Sequence, residues 1–119
     1  MYTVLFADDN RNVRQFCSTE LERAGYRVLL ASDGREALDV LRRVIPDVVI
    51  LDVRMSGMSG LEAIEQIAAQ HPAIPVILHS SRRDYLDDPR HRLAAACVEK
   101  AEDLGELKAK VYGLLCASS

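Results

Sequence analysis

Two stretches of this chain, Val48–Leu51 and Val76–Leu78, are apolar on consecutive residues instead of alternating. A strand with one wet face alternates apolar and polar side chains, so an unbroken run marks a strand covered on both faces, as in a parallel sheet clothed by helices. Similar short runs rich in Val, Ile and Leu recur, giving five predicted strands: Thr3–Ala7, Arg27–Ala31, Asp47–Leu51, Val76–His79 and Cys97–Glu99. Between them lie longer segments with helical periodicity and polar starts, the pattern of βα units.

The helix signals are local. The first predicted helix runs from Asn12 to Ala24 and ends at Gly25, a residue suited to a left-handed cap. The second starts near Asp33, with Glu36 three residues on, and reaches Val44 before Pro46 stops it. The third carries Ser59 and Glu62 in capping-box spacing and runs to Gln70 before Pro72. Pro89 inside a helix would cost about 3 kcal/mol or more. With Asp88 as N-cap and Pro89 at the first helical position that cost disappears, so a short helix is expected over Pro89–Ala95, preceded by a long loop, Ser81–Asp87, with Tyr85 a surface aromatic. The last helix, Leu104 to Cys116, carries Leu104, Leu107, Val111, Leu114 and Leu115 on one stripe. Five parallel strands and five helices imply right-handed crossovers and an α/β doubly wound sheet in three layers, (βα)5.

Composition narrows the function. At 119 residues, a single domain over 1–119 is expected. A net charge of -3, from 15 basic and 18 acidic residues, gives no basic surface for nucleic acid. No apolar run approaches the roughly 20 residues of a membrane span, and MYTVLFADD turns acidic at once instead of continuing as a signal peptide, so a cytoplasmic location is expected. Cys17, Cys97 and Cys116 are too far apart for zinc spacing and are expected as reduced thiols in or near the core. His71, His79 and His91 are scattered and none is read as a ligand.

In a doubly wound sheet the working site lies at the carboxyl ends of the strands. Those ends carry Asp8 and Asp9, Asp52, Ser80 and Lys100. Singly, each has a plain structural reading as a helix cap, a turn residue or a solvated charge. Together, three carboxylates meet a hydroxyl and an ammonium. Two carboxylates about 4 Å apart repel by about 4 kcal/mol at an effective dielectric near 20, so the group needs cations beyond the single charge of Lys100. An all-oxygen donor set favours Mg²⁺ or Mn²⁺ over zinc, and Mg²⁺ prefers phosphate oxygens among its remaining ligands. A phosphoryl group is the natural substrate.

On these residues the chain resembles the receiver (response regulator) domain of bacterial two-component signalling systems, chemotaxis-regulator-like. VLFADDN resembles the first strand and acidic pair, VVILDVRMSGMSG the phospho-acceptor strand and loop, IPVILHSS the fourth strand with its switch hydroxyl, and CVEK the fifth with its lysine. The resemblance implies a flavodoxin-like fold, with Asp52 as phospho-acceptor, and Asp8, Asp9, Asp52 and the backbone carbonyl of Arg54 around Mg²⁺ (or Mn²⁺). It also implies Ser80 and Lys100 on phosphoryl oxygens. The implied partners are a sensor histidine kinase or histidine phosphotransfer protein and a downstream protein target, with no nucleic acid, no membrane, and a monomer or weak dimer. It implies signalling by conformational switching and not an enzyme's turnover of substrate.

Departures from the pattern fall on the signalling face. Cys97 stands where the family usually has the aromatic partner of Ser80, so the switch position is Ser80 with Cys97. Ala101 replaces a proline reached through a cis bond; a cis bond before a non-proline residue costs about 2.5–4 kcal/mol, so Lys100–Ala101 is expected trans. Ser56 replaces a proline and is expected to loosen the acceptor loop. Two alternatives stay open at this point. A degenerate receiver would act as an interaction module without taking phosphate. A Mg²⁺-dependent phosphatase or a flavin protein would use the same architecture, against which stand Arg54 where a second carboxylate is wanted and the absence of G-x-G-x-x-G and P-loop motifs.

Overall fold

The computed structural model describes residues 1–117. Five strands, β1 (Thr3–Ala7), β2 (Arg27–Ala31), β3 (Val48–Asp52), β4 (Val76–Ser80) and β5 (Ala96–Glu99), form one parallel sheet in the order β2-β1-β3-β4-β5. The four α-helices among the described residues are α1 (Arg11–Arg23), α2 (Gly34–Leu41), α3 (Gly60–Gln70) and α4 (Gly105–Ala117).

Side chains alternate across each strand, so the sheet buries two separate cores. Val4, Phe6, Val48, Ile50, Ile77 and Val98 pack under α1 and α4 with Leu21, Leu107, Val111 and Leu115. Leu5, Ala7, Val49, Leu51, Val76 and Leu78 pack under α2 and α3 with Leu38, Leu41, Ile64 and Ile67. Every residue of β3 and β4 is buried, in agreement with their unbroken apolar runs. The chain steps outward from β1 to β2 on one side and from β3 through β5 on the other. The order reverses between β1 and β3, which places the crevice of a doubly wound sheet there.

Most caps follow the local signals. Asn10 caps α1, accepting from the Asn12 and Val13 N–H groups, and Asp33 caps α2 through Glu36 N–H. Ser59 and Glu62 close a reciprocal capping box on α3. The predicted reach of α2 to Val44 is corrected: the helix ends at Leu41, and the Arg42 and Arg43 N–H groups fold back three residues, to Asp39 and Val40, in a tighter last turn. β3 and β4 each run one residue further than expected, taking Asp52 and Ser80 into the sheet.

The fourth connection differs most from expectation. No fifth α-helix forms among the described residues; Asp84–Asp87 and Pro89–Leu93 are two 3₁₀ turns. Asp88 caps the second with Pro89 at its start, as expected, but the segment is too short to settle into α geometry. Arg90 holds it in place: its guanidinium bonds the Asp88 carboxylate at 2.8 Å and Glu65 of α3 at 3.0 Å. Tyr85, expected at the surface, is buried within the α2–α3 core. Of the thiols, Cys17 is buried, Cys97 half-buried and Cys116 exposed, the last against expectation.

Candidate functional site

β1 and β3 deliver their carboxylates side by side at the switch point. Asp8 follows the last residue of β1, and Asp52 is the last residue of β3. Asp8 is fully buried, Asp52 is 5% exposed and Asp9 is exposed, and one carboxylate oxygen from each lies within 4.8 Å of the others. Lys100, just past β5, reaches back over the sheet so that its Nζ sits 2.7 Å from Asp8 Oδ2 and 3.3 Å from Asp52 Oδ2. Its backbone N–H bonds the Ser80 carbonyl at 2.8 Å, which fixes where the side chain starts. Lys100–Ala101 is trans, as expected.

Neighbouring backbone orients each acid. Asp8 Oδ1 accepts from Asn10 N–H at 2.9 Å while its carbonyl accepts from Arg14 at 2.7 Å. Asp52 Oδ1 accepts from Arg54 N–H at 3.3 Å. Ser56 was expected to loosen the loop, but it does the opposite: its N–H and hydroxyl both donate to Asp9 Oδ2, at 3.2 and 3.4 Å. A proline there has no N–H and no hydroxyl, so it could do neither. Sequence reading named Ser56 but missed its bonds to Asp9, because a turn serine resembles any other.

The two glycines of the acceptor loop have separate reasons. Gly57 lies at φ +73°, in the left-handed region. A Cβ on Gly60 would run into the Asp52 carbonyl oxygen, so only glycine lets α3 begin this close to the acceptor strand.

Electrostatics set the resting state. Burial, reinforced by the Asp8 charge, pushes the Asp52 carboxyl up to about 6 despite the opposing Lys100 ammonium. Burial alone would lower the Lys100 ammonium, but contact with Asp8 and Asp52 raises it on balance, so it stays charged. One cation thus faces three carboxyl groups. Asp8 Oδ2 is buried against the Lys100 ammonium at 2.7 Å. Three carboxylates that offer oxygens within 4.8 Å of one another, with one ammonium beside them, fit a hard divalent cation.

Ser80 is buried at the end of β4, its hydroxyl accepting from Arg82 N–H at 3.2 Å. Cys97 lies on β5 opposite Leu78 and packs against the core that holds Tyr85, its thiol beside the phenol. Burial and then that contact push the phenol up to about 12. Arg54 is exposed and ion-paired with Asp84, and together with Asp9, Met55 and Tyr85 they border an open groove of about 540 Å³ beside the carboxylates. No helix among the described residues is long and apolar enough to cross a membrane.

The response regulator MprA of Mycolicibacterium vanbaalenii is 40% identical over 79 residues, 66% of this chain and 34% of that protein. TcrX of Mycobacterium tuberculosis, a probable transcriptional regulatory protein, is 36% identical over 86 residues, 72% of this chain and 36% of its own length. The chain therefore spans about a third of the length of these curated relatives. The response regulator TrrA of Thermotoga maritima, solved in complex with Mg²⁺-BeF, superposes with a TM-score of 0.93 at 35% identity, over 96% of this chain and 99% of that one. The complex of histidine kinase ThkA with TrrA gives 0.90 at 36% identity, over 97% and 99%. The family model described as the response regulator receiver domain matches residues 4–112. That match takes in the five strands, save Thr3 at the start of β1, and all of the converging side chains, and the chain belongs to the response regulator receiver domain family.

Proposed function

We propose that this chain, read as one receiver unit over 1–119, accepts a phosphoryl group on Asp52 from a sensor histidine kinase or a histidine phosphotransfer protein. The observation that carries this reading is the approach of Asp8, Asp9 and Asp52 to within 4.8 Å, with Lys100 Nζ on two of them. The similar TrrA is solved with Mg²⁺-BeF and with a histidine kinase, which supports the same chemistry here.

An Asp52 carboxylate oxygen attacks phosphorus, the P–N bond to the donor histidine breaks, and the imidazole leaves with the electron pair. Asp8, Asp9, Asp52 and the Arg54 carbonyl would hold Mg²⁺ (or Mn²⁺), which supplies charge neutralisation at the phosphoryl oxygens. Catalysis of such transfers is mostly positioning and charge stabilisation. Lys100 pairs with one phosphoryl oxygen, and the Ser80 hydroxyl turns from Arg82 N–H to donate to another. That turn pulls on Ser81–Asp87, and the buried Tyr85, which packs with Cys97 of β5, moves with it. The Tyr85–Cys97 contact thus takes the place of an aromatic residue at position 97. Shifting a two-state equilibrium from 1:99 to 99:1 requires about 5.5 kcal/mol of differential stabilisation. The unit signals by protein contact and is not a turnover enzyme.

Intact-mass spectrometry after incubation with acetyl phosphate and Mg²⁺ tests the reading. One phosphoryl adduct is expected, absent in Asp52→Asn and absent without divalent metal. A folded, metal-binding protein that takes no adduct would instead be an interaction module.

A further inference from the structure

The loop between β3 and α3 is pinned on both sides of Ser56. Arg54 N–H donates to Asp52 Oδ1 at 3.3 Å, and Gly60 N–H closes the loop on the Val53 carbonyl at 2.9 Å. The Met58 carbonyl accepts from Gly34 N–H, at the start of α2, at 3.2 Å. A Cβ on Gly34 would lie 2.8 Å from that carbonyl oxygen, so loop and helix meet backbone to backbone. Met55, the residue before Ser56, is buried in the α2–α3 core. The loop therefore places the Ser56 N–H before any ion arrives.

The three acids are not held alike. Asp8 and Asp52 each have a backbone N–H on Oδ1 and the Lys100 ammonium beside Oδ2. Asp9 is exposed, and among the described residues its carboxylate has no ion pair; its partners are the Ser56 N–H and hydroxyl, at 3.2 and 3.4 Å. Both converge on Oδ2, and no hydrogen bond among the described residues ends on Oδ1, which stays open to a cation. Without these donors an exposed carboxylate turns freely, and the ion itself has to order it. Hydrogen bonds to a ligating carboxylate fix its orientation in advance. Mg²⁺ gains most from that, because it demands near-ideal octahedral geometry, whereas Ca²⁺ accepts more oxygens in a looser shell. We infer that Ser56 is a positioning residue for Asp9, setting its carboxylate for Mg²⁺ and favouring Mg²⁺ over Ca²⁺. The inference rests on the metal site described under the proposed function.

Calorimetric titration of the full chain with Mg²⁺ and, separately, with Ca²⁺ tests this. Removing a hydrogen-bonded neighbour of a metal ligand typically costs about 10–100-fold in affinity. Ser56→Pro loses both donors and should bind Mg²⁺ about ten-fold more weakly, with Ca²⁺ binding changed much less. Ser56→Ala keeps the N–H and should lose less, and Ser56→Thr keeps both donors and should match the unaltered chain. Should Ser56→Pro fail to fold, Ser56→Ala and Ser56→Thr carry the same comparison. Unchanged Mg²⁺ affinity in Ser56→Pro (in Ser56→Ala, if only that variant folds), equal losses for the two ions, or no rescue by Ser56→Thr overturns the inference alone. No Mg²⁺ binding by the unaltered chain would overturn the metal site as well, so the two failures are told apart.

Discussion

At the β1–β3 end of the sheet three carboxylates are held by backbone N–H groups, a loop serine and an ammonium that reaches across two strands. At the β4–β5 end the chain between Ser81 and Ala95 passes through two 3₁₀ turns tied by ion pairs with exposed partners: Arg54 to Asp84, Arg83 to Glu99 and Arg90 to Glu65. The first region concentrates like charge, and its donors, Asn10, Arg54, Ser56 and Lys100, sit on short segments tied directly to strand ends. The second has little regular hydrogen bonding and weak surface pairs, so it sits at the low end of local stability. Chemistry and readout thus occupy one edge of one sheet with different stiffness. In the proposed function, a charge added at the stiff end is expressed as movement at the soft one.

The largest way to break this contrast is to remove the single deep anchor of the soft end. Tyr85→Ala leaves a cavity in the α2–α3 core and is expected to cost about 3 kcal/mol in urea denaturation. It should also raise amide exchange across 81–95 while the β1–β3 amides stay protected. A uniform loss of protection would mean that the two regions unfold as one.

The stiff end is sharpened by pH. The Asp52 carboxyl rises from an unfolded value of 3.8 to about 6 in the fold. Below the lower value it is protonated in both states and contributes nothing. Between the two only the unfolded chain ionises, so metal-free stability falls as pH rises, and above about 6 the full penalty stands. At about 1.4 kcal/mol for each pH unit between them, the penalty is of order 3 kcal/mol. Metal-free stability should therefore drop between about pH 4 and 6, flatten in Asp52→Asn, and be recovered by saturating Mg²⁺. A profile unchanged by Asp52→Asn would show that the acidic cluster is not under strain.

The smallest effect belongs to Arg54→Ala. Its ion pair with Asp84 is exposed on both sides, so thermal denaturation should register less than about 1 kcal/mol. A larger loss would mean that this pair braces the soft end.

The fold was legible wherever one local rule decided the outcome. Unbroken apolar runs gave β3 and β4, the S-x-x-E pair gave the start of α3, and strand-end reading named Asp8, Asp9, Asp52 and Lys100, whose charged groups meet in the structure. The misses came where tertiary contacts overrule local pattern. An α-helix over Pro89–Ala95 was locally permissible, but Arg90 bonded to both Asp88 and Glu65 holds a short 3₁₀ turn instead. Tyr85 in a polar loop reads as a surface residue, and only the core beneath that loop reveals its burial. Ser56 read as slack because its partner, Asp9, lies 47 residues away in the chain.

The alternation of β4 has one more consequence. His79 and Ser80 are adjacent in sequence but belong to opposite faces of the sheet, one toward the α1–α4 side and the other toward Tyr85 and α3. The last two residues of a single strand therefore act as a junction box with two outlets. A shift of that strand end therefore disturbs the packing on both sides at once.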